Sequence, residues 1–128
     1  MTNEQELIIK FQEFEKRIQQ TQQQKEAIEQ ALIELNLIKE GLNDLKEKKE
    51  ILAQIGKGIF AKAKLNSKEL IVNVGEKIFV KKSIKDTKKL INEQIIKLNQ
   101  AKKELDKILE ELDQELTKTM LDSQKKKD

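Results

Sequence analysis

The sequence predicts a mainly α protein with a small β component: a long antiparallel coiled-coil hairpin carrying two β-hairpins between its helices, with the sheet assembling into an oligomeric β-barrel. Three observations carry this. Apolar residues recur alternately four and three positions apart over two long stretches, the spacing of a coiled-coil seam. Between those stretches the apolar period falls to two, the period of a strand. The composition is 38% charged and 37% hydrophobic but only 3% aromatic over 128 residues, which suits solvated helices better than a large compact core.

The first helix is expected over residues 1–52. Its stripe runs Leu7, Phe11, Phe14, Ile18, Thr21, Lys25, Ile28, Leu32, Leu35, then Ile38, Leu42, Leu45, Lys49 and Leu52, with one slip between Leu35 and Ile38. A seam with a single discontinuity marks a coiled coil. At about 1.5 Å per residue the helix would reach roughly 75 Å. The run from Gln19 to Gln24 keeps helical register and reads as a solvated segment with a soft seam.

Residues 53–82 read as two β-hairpins. Ile59, Ala61, Ala63 and Leu65 alternate with Phe60, Lys62 and Lys64; Leu70, Val72 and Val74 alternate with Ile71 and Asn73; Ile78 and Val80 alternate with Phe79 and Lys81. A short strand at Ala53–Ile55 would pair across Gly56-Lys57-Gly58, while Asn66-Ser67 and Gly75-Glu76 read as hairpin turns. The second helix is expected over 83–122. It starts at Ser83, with Asp86 completing a capping-box-like pair, and continues through Ile91, Ile95, Leu98, Lys102, Leu105, Leu109, Leu112, Leu116 and Thr119. Residues 123–128, rich in lysine, are expected to be a disordered basic tail.

Antiparallel partners should have residue numbers with a constant total. Leu45 with Ile91, Leu42 with Ile95 and Leu32 with Leu105 total 136 or 137, which predicts the register and leaves a remainder. Phe14 would face Ser123, and earlier residues would face the tail or nothing. Leu7, Ile8, Ile9, Phe11 and Phe14 are nevertheless the densest apolar cluster of helix 1, and an exposed apolar patch on a helix end marks an interaction surface. Met120 and Leu121 would add an adaptable fringe. The hairpins pose a second excess. Ile59, Phe60, Leu70, Ile71, Val72, Val74, Ile78, Phe79 and Val80 are more apolar side chains than two isolated hairpins can bury, so the sheet is the expected oligomer interface.

The chemistry excluded is extensive. With no His and no Cys there is no zinc finger, haem ligation, disulfide or Ser/Cys–His nucleophile. No metal, cofactor or catalytic residue is expected, and the protein is not read as an enzyme. No apolar run approaches the roughly 20 residues of a membrane span, so the expectation is a soluble, cytoplasmic protein without a membrane partner. Residues 57–89 hold ten lysines against three acids, but only one arginine occurs in the chain, at Arg17. Lysines of this kind protect sheet edges, and no nucleic-acid partner is expected.

The stretches Gly58-Ile59-Phe60-Ala61-Lys62-Ala63-Lys64, Leu70-Ile71-Val72-Asn73-Val74-Gly75 and Ile78-Phe79-Val80-Lys81-Lys82-Ser83 resemble the strands of prefoldin α subunits, and the predicted topology resembles that family over the whole chain as one prefoldin-like domain, 1–128. The two-hairpin insert points to the α class, since β-class subunits carry one. Where family members often carry a proline in the first short strand, this chain has Ala53-Gln54-Ile55. The resemblance implies a hexamer of two α and four β subunits, with β-barrels as platform. It also implies an ATP-independent holdase that captures non-native client proteins at coiled-coil tips and delivers them to a group II chaperonin. On that reading Leu7, Ile8, Ile9, Phe11, Phe14, Met120 and Leu121 bind clients. The alternative is a structural, filament-forming coiled-coil protein.

Overall fold

The computed structural model describes residues 3–46 and 49–127, with side chains through Gln124. The elements follow in the order α1 (Asn3–Asp44), β1 (Glu50–Gly56), β2 (Ile59–Lys64), β3 (Glu69–Gly75), β4 (Ile78–Ser83) and α2 (Ile84–Lys127). Two long helices thus enclose two small antiparallel sheets, β1-β2 and β3-β4. The chain forms two compact units, Met1–Leu32 with Lys97–Asp128, and Ile33–Ile96.

In the first unit α1 and α2 run antiparallel. The Lys25 ammonium lies 2.6 Å from the Asp106 carboxylate and Lys102 lies 3.6 Å from Glu29, so partners on α2 descend as those on α1 ascend. Among the described residues of this unit, Phe14, Thr21, Leu32 and Leu112 are buried, all on the predicted seams. Thr21 is accommodated there because its hydroxyl donates to the Arg17 carbonyl at 2.7 Å, one turn back. The register departs from the prediction. Both ion pairs have residue numbers totalling 131, five or six below the 136–137 expected, and the nearest totals that keep seam against seam are those near 130, one heptad lower. A heptad seam is nearly indifferent to a seven-residue slide, so matching seam positions alone could not separate the two.

The second unit shows where that error began. α1 ends at Asp44, eight residues before the expected boundary at 52, and its last turn tightens as the Leu45 N–H donates to the Leu42 carbonyl at 3.3 Å. Gly41, Asn43 and Asp44 are poor helix formers, and from Glu50 the chain is paired with β2 instead. Ile51 and Ala53 are half-buried while Leu52 and Gln54 are exposed. Leu52 therefore continued the heptad count by coincidence. Pairing runs Glu50↔Lys64, Ile51↔Ala63, Leu52↔Lys62, Ala53↔Ala61, Gln54↔Phe60 and Gly56↔Ile59, skipping Ile55 as a bulge. This strand is longer than the three residues the sequence suggested.

The second sheet pairs Glu69↔Ser83 through Asn73↔Phe79 and Gly75↔Ile78, skipping Val74. Its turn residues are Glu76 and Lys77, with φ of 48° and 63°, the pair of positive values that a tight hairpin turn of type I′ demands. The Asn73 side-chain oxygen accepts from the Gly75 N–H at 2.9 Å and braces its entry. Asn66-Ser67 is not a hairpin turn. It lies in the connection between the two sheets, where β2 and β3 do not pair, and the Ser67 hydroxyl accepts from the Glu69 N–H at 3.2 Å.

α2 starts where predicted. The Ser83 hydroxyl accepts from the Asp86 N–H at 3.0 Å, an N-cap, and the Ile84 N–H donates to the Lys68 carbonyl at 2.8 Å, tying the helix start to the connection. Among the described residues of this unit, Leu42, Thr87 and Ile91 are buried. At its other end α2 continues to Lys127, through residues expected to be a disordered tail; Asp128 lies outside the described residues. No glycine or proline follows Gly75, so nothing local stops the helix.

Candidate functional site

Two apolar surfaces stand out, one in each unit. In the first, Ile8 is 56% exposed, Ile9 41%, Met120 49% and Leu121 53%, while Leu7 and Phe11 are half-buried. Phe14 corrects the sequence reading. It was expected on an unpaired helix end, but it is only 7% exposed, because the one-heptad change of register sets it opposite the Leu116 level of α2 instead of Ser123. Leu7 and Lys10 of α1 share a shallow groove with Thr119, Asp122 and Ser123 of α2, in agreement with that alignment. Met120 and Leu121 do not line it; Leu121 sits beside Asp113, Gln114 and Thr117 on another flank of α2. The seven predicted residues therefore divide into a packing residue, two half-buried supports and four exposed side chains on two helices.

Exposure of Ile8 and Ile9 follows from α-helical geometry. They lie between seam positions Leu7 and Phe11, and residues one or two apart point in different directions. Further along, an ion pair flanks the buried seam. Asp106 accepts a hydrogen bond from the Lys25 ammonium, which holds that lysine above its ordinary pKa.

In the second unit the hairpins carry the other surface. Ile59, Phe60, Ile71, Val74, Ile78 and Phe79 are exposed; Leu70, Val72 and Val80 are half-buried. Sequence reasoning missed Leu52 and Ile55, both exposed on β1, having assigned Leu52 to helix 1. It also missed Ile33 and Leu37, exposed on α1, and it placed on the seam Ile38, which is 47% exposed; the slip after Leu35 was the visible signal that the stripe loosens there. Among the described residues no group of three or more acidic side chains is placed to hold a metal, and none of the described helices is long and apolar enough to cross a membrane.

The prefoldin subunit family profile matches residues 10–126. The chain belongs to the prefoldin family. Its two long helices with two antiparallel hairpins between them are the prefoldin fold, and the family is one of non-enzymatic, chaperone-type proteins that assemble with other prefoldin subunits. A filamentous prefoldin from Methanocaldococcus jannaschii, solved by cryo-electron microscopy, is similar in structure with a TM-score of 0.54 over 92% of this chain and 95% of that one, at 20% identity. No curated protein matches in sequence.

Proposed function

We propose that this prefoldin is an α-class subunit of an ATP-independent holdase that captures non-native proteins at the ends of its helices and passes them to a group II chaperonin in the cytoplasm. The observation that carries the reading is the exposure of Ile8, Ile9, Met120 and Leu121 in a chain of this family. Such side chains bind many unfolded segments weakly, and several helix ends acting together raise the effective affinity. The presence of two hairpins supports the α class. Their exposed faces suit assembly with β-class subunits, in a hexamer of two α and four β, without nucleic acid or membrane.

Replacing Ile8, Ile9, Met120 and Leu121 together by serine tests this. Protection of a denatured model protein from aggregation should be lost while helix content and oligomer mass stay unchanged. Full protection by the variant would remove the proposed site. The filamentous form of the similar structure favours a second reading, an open structural polymer built through the hairpins, which electron microscopy of the isolated chain distinguishes from a closed complex.

A further inference from the structure

The composition leaves an oxidant little to attack. The chain has no Cys, His, Trp or Tyr and two methionines, Met1 and Met120; Met1 lies outside the described residues. Met120 follows the seam position Thr119 on α2, and neighbouring residues of a helix point in different directions. Its side chain therefore leaves the seam, and 49% of its surface is exposed. It belongs to the apolar surface that Ile8, Ile9 and Leu121 make at the helix ends. Among the described residues the buried side chains are Leu, Ile, Phe and Thr, none of which contains sulfur. Two-electron oxidation is thus directed to the helix end, and it spares the seam and the hairpins.

We propose that Met120 is a peroxide-sensitive modification site whose oxidation to the sulfoxide weakens the capture of non-native proteins. This rests on the reading of the helix ends as the capture site. In the step, the thioether sulfur attacks one oxygen of hydrogen peroxide, an S–O bond forms and the O–O bond breaks. The proton on the transferred oxygen passes to the departing hydroxide, which leaves as water. Sulfur loses two electrons and peroxide gains them. A thioether is flexible and apolar and adapts to irregular apolar partners. The sulfoxide is a polar acceptor, and covering it with an apolar client segment leaves that acceptor without a hydrogen bond. The change is reversible, because methionine sulfoxide reductases, one for each sulfoxide epimer, return the thioether; a thiol supplies two electrons and two protons, and the oxygen leaves as water.

Hydrogen peroxide applied to the full-length chain, in whatever oligomer it forms, tests this. Peptide mass mapping should show one oxygen added at Met120, with circular dichroism and native mass of the oligomer unchanged. The concentration of chain that half-protects a denatured model protein should rise about threefold to tenfold, since full burial of a methionine side chain is worth about tenfold or more in affinity and this one is already half covered. Both reductases with a thiol should restore it. Met120→Leu keeps an apolar side chain of similar volume; it should protect like the untreated chain and be indifferent to peroxide, although Met1 is still present. Met120→Gln places a polar group there without any oxidant and should reproduce the weakening. A Met120 that peroxide leaves unmodified, undiminished protection when it is fully oxidised, a loss of helix or oligomer on oxidation, or a Met120→Leu chain that peroxide still disables would overturn the inference. An untreated chain that protects nothing removes the proposed function instead, and the switch with it.

Discussion

Gly41 lies inside α1 with nothing within 4 Å of where a Cβ would sit. Gly41→Ala should therefore stabilise the protein by up to about 1 kcal/mol, read as a rise in the urea midpoint at unchanged slope, since alanine is the better helix former by that margin. Lys77 holds a φ of 63°, a conformation that costs a residue with a Cβ about 1 kcal/mol. Lys77→Gly should recover a similar amount, and the equivalent turn position of the first hairpin is already Gly58, with φ 78°. Phe14→Ala removes a ring that is buried and should destabilise by about 3 kcal/mol, at the lower end for such truncations. A fully exposed ring would show almost no change. The Lys25–Asp106 pair has a pH signature. Because Asp106 raises the folded-state lysine pKa, its contribution is complete below the ordinary lysine value and disappears as pH climbs through the raised one, so an alkaline melt of Lys25→Met should lack that loss.

At the scale of elements, the change of apolar period from about 3.5 to 2 made both helices and the strands legible, because each period reflects the geometry of its own backbone. Ser83 was legible as a start because its hydroxyl serves the Asp86 N–H. Ser83→Ala should cost about 1 kcal/mol and speed hydrogen exchange in the first turn of α2 before the rest. The end of α1 was not legible. Leu45, Lys49 and Leu52 fit a heptad as well as Ile51 and Ala53 fit a strand, and only pairing with β2 decides. That eight-residue overrun then carried the register one heptad astray. Phe14, Ile8 and Ile9 were found together in sequence for their apolar character, but their separation into packed and exposed depends on that register.

For the molecule as a whole, the family was accessible through the hairpin segments, whereas how copies associate depends on surfaces that a single chain leaves open. The register itself is directly testable because the chain contains no cysteine. A cysteine pair at Ile18 and Leu112, whose numbers total 130, should oxidise to a crosslink, and a pair at Ile18 and Thr119, totalling 137, should not.

Sliding the helices by seven residues would bring Asp113 to Lys25 in place of Asp106, another acid, but would bring Asn36 to Lys102 in place of Glu29. The apolar stripe and one of the two charges are thus blind to the stroke, and the Glu29–Lys102 contact is the mark on the scale that tells one notch from the next. Glu29→Asn erases that mark, and the yield of the Ile18–Thr119 cysteine crosslink should then rise by no more than the few-fold that an exposed ion pair is worth.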